Sequence, residues 1–419
     1  MKTRLYLLLF IVSFFLSHTI IGQQLSEIKK LDSITINSTR IELPFKENSR
    51  TITIISAEAI QQSPATNLAE LLQQEAGIDV RRQGVNGMQA DLYIRGGSFD
   101  QTLLLIDGIK VEDPQTGHHT LNIALPLEVI ERVEIIKGPA ARVFGQNAFT
   151  GAINIVTKSN VDTVNSVGYK TGSYNQQQAA VTLGTQLEKA TFIGHASVNT
   201  SDGYRYNTDF ENQNYFVKGS FNTTANPVEV IGTFSERKFG ANQFYAVNAK
   251  DQYEETQSSL VGVSTQFQTE NFKITPRIYW KRNQDMYLYV REDPSIYRNL
   301  HISNKVGLQV NASYSSNAGI TGFGVDVAKV FMTSTNLGER DRLMANVFFE
   351  HRFSLANNNL DITPGVALNY FSDFKFQALP GVDVGYTIND EFKAYANVGY
   401  TYRVPTYTDL YYVGRTDLG

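Results

Sequence analysis

The residues that could do chemistry here are few: six histidines, forty-one aspartates and glutamates, and no cysteine. Disulfides and thiolate metal sites are therefore excluded. No Ser-His-Asp spacing, HExxH, P-loop or zinc-type cluster stands out, so an enzyme is not expected. Two groups remain. Adjacent His118 and His119 could meet a metal or haem iron, but neighbours on an extended segment point to opposite sides, so one metal rarely takes both. Hydrogen-bonded or solvated histidines are the favoured reading, and no metal is assigned. Asp202, Asp209 and Glu211 in one long loop, with Asp251, Glu254 and Glu255 in the next, could jointly offer hard oxygens to Ca²⁺. Solvated loop acids are the commoner case, and no other cofactor is expected.

What positions such residues is a β-rich scaffold. The formal charge of −4 gives no basic bias toward nucleic acid. Twenty-two tyrosines and twenty-five phenylalanines against one tryptophan are a heavy aromatic load, of the kind that girdles at the two boundaries of a membrane barrel use. Lys2 and Arg4 precede an apolar run from Leu5 to Leu16 and then small and polar residues to Gly22. That order reads as a secretory signal over 1–22, since the run falls short of the roughly 20 apolar residues of a spanning helix.

From Val164 to Tyr402 the pattern has period two. Val306, Leu308, Val310, Ala312 and Tyr314 alternate with Lys305, Gly307, Gln309, Asn311 and Ser313, apolar outward and polar inward. About thirteen such strands are expected, with Phe348 and Lys329 breaking the alternation. Connections sort by length: Gln186–Lys189, Ser315–Gly319 and Asn389–Glu391 are short, whereas Ser201–Asn212, Arg237–Thr256, Arg282–Ile302 and Thr333–Asp341 are long. Short turns on one side and longer loops on the other are how a transmembrane barrel is built.

Between Asp91 and Lys158 the chain is instead a run of short strands and glycine turns. Thr102–Ile106 feeds an Asp107-Gly108 pair, which supplies the positive φ of a tight hairpin. Ser63-Pro64 is expected to open a helix whose Leu68, Leu71 and Leu72 share one face, with Gly77 as its stop. Tyr93-Ile94-Arg95-Gly96-Gly97, Leu105-Ile106-Asp107-Gly108, Ile130 through Pro139, Phe144-Gly145 and Gly151-Ala152-Ile153-Asn154-Ile155 occur in that order. Through these motifs the stretch resembles the plug domain of the TonB-dependent outer-membrane receptors, closest in look to the cobalamin and siderophore subgroup.

The resemblance implies a mainly β protein: a small mixed α/β plug over 39–158 inside an antiparallel transmembrane barrel over 159–419, after a periplasmic spacer over 23–38. It implies a TonB box at Asp32, Ser33, Ile34, Thr35, Ile36 and Asn37, gripped by strand addition. It implies that two plug loops form an outward apex touching substrate, through Val85, Asn86, Gly87, Met88 and Gln89 and through Asp113, Gln115, Thr116, Gly117, His118 and His119. Arg95, Glu131, Arg132, Glu134, Lys137 and Arg142 are expected to ion-pair the plug to the barrel. Tyr402-Arg403-Val404-Pro405 resembles the family's FRAP-type barrel motif. Plugged transporters have about 22 strands, so a barrel truncated at its C-terminal side is expected.

The implied activity is energised uptake of a scarce ligand, an iron–siderophore or a corrinoid, by a monomer in the outer membrane of a Gram-negative bacterium, with TonB as partner. A passive porin-like barrel or a nonfunctional receptor fragment is the alternative.

Overall fold

The computed structural model describes residues 35–36, 41–84, 88–161, 164–221, 226–389 and 391–413. Two sheets dominate. The first is five-stranded and mixed, and the second is a fourteen-stranded antiparallel meander whose inward face carries it.

The inner unit begins with β1 (Thr35–Ile36) paired to β2 (Leu43–Pro44), then β3 (Thr51–Ser56), α1 (Ala57–Gln62), α2 (Leu68–Gln73) and the hairpin β4 (Ile78–Gln83) with β5 (Gln89–Ile94). β6 (Thr102–Ile106), β7 (Ile109–Lys110), β8 (Ile130–Lys137), α3 (Ala141–Phe144) and β9 (Gly151–Thr157) follow. The sheet order is β3-β8-β9-β6-β7, with β6 and β9 parallel and the other pairs antiparallel. Asp107 and Gly108 both take positive φ, 47° and 81°, as the β6–β7 turn demands. β6, β8 and β9 are buried on both faces. Leu104, Ile106, Val133, Ile135, Ile153 and Ile155 pack with Ile60, Leu68, Leu71 and Leu72, whereas Leu103, Leu105, Ile136 and Ala152 pack with Val143, Phe144 and Ile36.

One helix start differs from expectation. Ser63 ends α1, its N–H donating to Ala59 O, and α2 starts five residues later under Asn67, whose side chain accepts from Glu70 N. Pro64 follows a residue in extended backbone, as proline prefers, so it separates two short helices rather than opening one.

The outer sheet runs β10 (Ser166–Gly172), β11 (Gln176–Leu187), β12 (Ala190–Ser201), β13 (Phe210–Phe221), β14 (Val228–Gly240), β15 (Tyr253–Thr265), β16 (Phe267–Gln268), β17 (Phe272–Leu288), β18 (Arg298–Ser316), β19 (Gly319–Ser334), β20 (Gly338–Leu355), β21 (Leu360–Phe371), β22 (Lys375–Thr387) and β23 (Lys393–Gly399). β16 pairs only with β17, so thirteen strands form the continuous path, each hydrogen-bonded to its sequence neighbour. β10 and β23 lie at its two ends. α4 (Tyr407–Tyr411) follows the last strand.

The alternation expected along β18 holds. Lys305 and Gln309 point inward and are buried, while Val306 and Leu308 between them are exposed on the outer face. Gly307 shares the inward face, where a Cβ would lie 2.3 Å from Tyr279 Cζ, so the ring fits only against glycine. Phe348 faces inward and packs on Ala141 of α3 with Ala367 and Leu379. Lys329 faces outward and pairs with Asp341 at 2.9 Å.

All four outer loops expected to be long are shorter than expected, the first two narrowing to 202–209 and 241–252. β17 and β18 stay paired up to Leu288 and Arg298, and β19 and β20 up to Ser334 and Gly338. The hydrogen-bonded ladders run further than the polar and charged composition of these segments suggested. No described helix is long and apolar enough to cross a membrane, which says nothing of strands.

Candidate functional site

The inner unit touches the wall at two levels. Near the short-turn end, Arg142 of α3 donates to Glu350 at 2.7 Å and to Asp383, and Arg50 Nε donates to the same Asp383 oxygen at 2.6 Å. Ser49 donates to Asp361 at 2.5 Å, and Lys393 reaches Asp361 at 3.0 Å. All of these but Lys393 are buried. Further along the wall, Lys218 Nζ lies 3.4 Å from Asp107, the hairpin-turn residue.

At the long-loop end the segment 112–119 meets β15, β17 and β18. Asp113 organises it from within, its carboxylate accepting from Gln115 N, Thr116 N and Gly117 N. Gly117 has φ +85°, and a Cβ there would meet Phe99 at 2.9 Å. Glu112 pairs with Lys305, and Lys281 Nζ donates to its carbonyl at 3.1 Å. Burial pushes the Glu112 carboxyl up, but Lys305 and then Lys110 outweigh it, leaving the pKa below the usual carboxylate value.

The two histidines diverge. His118 stacks on Phe99 and reaches Asp91 at 2.8 Å, inside the inner unit. His119 turns to the wall, with Nε2 3.3 Å from Asp285 Oδ2, an oxygen that also accepts from Gln115 Nε2 at 2.8 Å. Burial works against a charged imidazole at His119, but Asp285 foremost, with Asp113 and Glu254, outweighs it and raises the pKa to about 10. Glu254 accepts from Tyr245, whose hydroxyl is held protonated by burial and by that carboxylate.

Met88 is 2% exposed, packs with Phe210, Phe239 and Phe244, and gives its carbonyl to Arg237. Gln89 Oε1 lies 3.0 Å from the Tyr245 hydroxyl. Val85, Asn86 and Gly87 lie outside the described residues, as do Asp32, Ser33, Ile34 and Asn37 of the expected box. Within the box, Thr35 and Ile36 pair with Pro44 and Leu43, and Ile36 is buried.

Of the six charged residues expected to reach the wall, Arg142 does so. Glu131, Arg132 and Glu134 pair among themselves, Lys137 Nζ donates to Ala76 O, and Arg95 donates to Lys137 O. The acids suggested for Ca²⁺ are not gathered either. Asp209 is taken bidentately by Arg291 at 2.7 and 2.9 Å, Asp251 accepts from Tyr206, and Glu255 accepts from Tyr253.

Sequence reasoning missed the clamp on the apical loop. Arg403 bridges Asp100 and Asp409, Tyr407 N donates to Pro114 O at 3.0 Å, and Thr408 N donates to Gln115 O at 2.9 Å. The FRAP-like tetrapeptide was visible; that Arg403 reaches Asp100 and that α4 beside it bonds segment 112–119 was not.

Residues 44–152 match the TonB-dependent receptor plug domain, and residues 145–419 match the TonB-dependent receptor-like β-barrel. The chain belongs to the TonB-dependent receptor family. Its inner unit is the plug and its long meander the barrel wall. It is 25% identical over 405 residues to the vitamin B12 transporter BtuB of Vibrio vulnificus (strain CMCP6), covering 92% of this chain and 65% of that transporter. A BtuB of Vibrio cholerae (strain O395) is 30% identical over 183 residues, 43% of this chain and 30% of that one. Among solved structures, the siderophore receptor PirA of Pseudomonas aeruginosa superposes with a TM-score of 0.68 at 18% identity, over 84% of this chain and 62% of that one. The ferric-catecholate import receptor Fiu of E. coli K12 gives 0.68 at 14% identity, over 87% and 71%. These two likenesses concern the fold.

Proposed function

We propose that this receptor works in the outer membrane of a Gram-negative bacterium as a TonB-coupled transporter that takes up a corrinoid or an iron–siderophore chelate. The observation that carries the reading is a plug seated against the barrel wall at two levels, with a loop at the outer level clamped from the wall side by Arg403 and α4. Such a plug blocks passive flow, so passage requires work on it, and the N-terminal segment Asp32–Asn37 is where TonB grips by strand addition. Ligand contacts fall to the two apical loops, Val85–Gln89 and Asp113–His119. The relatives named vitamin B12 transporters support the corrinoid, and the subgroup resemblance of the plug motifs supports the siderophore.

The test is uptake by whole cells of labelled cyanocobalamin and of a ferric catecholate, with and without a proton uncoupler, in the wild type and in Thr35→Pro. Proline removes a ladder donor and fixes φ, so the variant should bind ligand normally yet lose energised uptake. Uptake that survives both the uncoupler and the proline would mean a passive barrel.

A further inference from the structure

Where the apical plug loop meets β15 and β17, three side chains converge: His119 from the plug, and Glu254 and Asp285 from the wall. Their ligand atoms lie within 4.8 Å of one another, and the residues are 5%, 2% and 7% exposed. The register explains the convergence, since Asp285 stands opposite Thr256, one diagonal step from Glu254 on the same inward face.

We propose that these three residues form a binding site for a divalent transition ion of the zinc type, bridging the plug apex to the barrel wall. Two observations carry it. Glu254 Oε1 and Asp285 Oδ1 are both buried and accept no hydrogen bond, so each carboxylate keeps one oxygen available to a ligand beside His119. The 3.3 Å separation of His119 Nε2 and Asp285 Oδ2 is long for a charge-assisted N–H···O bond, about 2.7–2.9 Å. It matches the edge of a tetrahedron built on metal–ligand bonds of about 2.0–2.1 Å.

The surroundings also fit. Gln115 Nε2 and the Tyr245 hydroxyl orient the two carboxylates from outside, as supporting donors do around metal ligands. His301 faces Asp285 directly across the β17–β18 ladder, with its Nδ1 engaged by Ser334 at 2.7 Å. An imidazole with two carboxylates suits zinc better than calcium, which prefers oxygen alone.

One neighbour opposes the ion. A metal on Nε2 leaves the ring proton on Nδ1, yet Asn122 presents its amide nitrogen there at 3.0 Å because its oxygen accepts from Arg237 at 2.8 Å. Asn122→Asp supplies an acceptor to both groups, so the site predicts that this variant binds more tightly.

The experiment is titration of the detergent-extracted protein with Zn²⁺ alone, against a competing chelating dye, with zinc-edge absorption spectroscopy of the loaded sample. One equivalent is expected, with a first shell of nitrogen and oxygen at about 2.0–2.1 Å. His119→Ala and Glu254→Gln should each weaken binding by about 100-fold, and Asn122→Asp should strengthen it about 10-fold, the scale on which ligand and outer-shell changes act. Asp209→Asn and His351→Ala, both away from the site, should leave it unchanged. Equal affinity in the wild type, His119→Ala and Glu254→Gln overturns the site. Should those two variants fail to fold, Asn122→Asp decides: tighter binding supports the site and unchanged binding overturns it.

Discussion

Arg50 Nε and Asp383 Oδ2 lie 2.6 Å apart across 333 residues of sequence, and both residues are buried. Arg142 of the plug shares that oxygen. Asp383→Asn therefore leaves two buried guanidiniums under-paired, and breaking a buried pair from one side costs about 3–5 kcal/mol. Amide exchange over Thr51–Ser56 and α3 should accelerate while the wall strands β18–β20 stay protected. Unchanged exchange would show that the plug is held elsewhere.

Acid should break the Glu112–Lys305 pair late in the pH range. Its carboxyl titrates below the ordinary value of 4.5 because Lys305 and Lys110 outweigh burial. A depressed folded pKa means the stabilisation is fully present above the unfolded value and is lost as pH falls through the folded one. The part of the protection of 112–119 that Glu112 supplies should thus be lost only below about pH 4.5. Glu112→Gln should flatten that dependence and raise exchange at neutral pH, and a variant that kept the acid-dependent rise would assign it to another group.

Gly117 admits no side chain, because at its φ of +85° a Cβ would stand 2.9 Å from the Phe99 ring. Gly117→Ala adds a left-handed-region penalty of about 1–2 kcal/mol and displaces the Phe99–His118 stack. Weaker ligand binding with unchanged barrel stability is expected, read by equilibrium binding beside heat-modifiable gel migration.

Arg403 should act on the loop rather than on the barrel. Arg403→Ala removes the bridge to Asp100 and Asp409, so amides of Pro114-flanking residues and α4 should exchange faster and ligand should dissociate faster. Arg403→Lys, which keeps the charge but loses the fork geometry, should fall between.

Much of the fold was legible because it is local. A period of two fixes which side chains share a face, an Asp-Gly pair fixes a hairpin, and both are written within a few residues. The thirteen-strand path, the β6–β7 turn and the buried face of α2 follow from such signals. Helix starts and the lengths of the outer loops did not, since Pro64 serves either end of a helix and strand pairing runs on into segments rich in polar and charged residues. Charges showed the limit most clearly. The sequence marks Arg95, Glu131, Arg132, Glu134, Lys137 and Arg142 as one charged set, but cannot say that Arg142 is the member that meets Glu350 and Asp383, 208 and 241 residues away. Nor can it pair Glu112 with Lys305, or His119 with Asp285, because periodicity gives a face and never the partner across it. Those pairings arise only when the plug is seated within the wall, and the tertiary structure decides them through the register that brings each strand's inward residues to a given height.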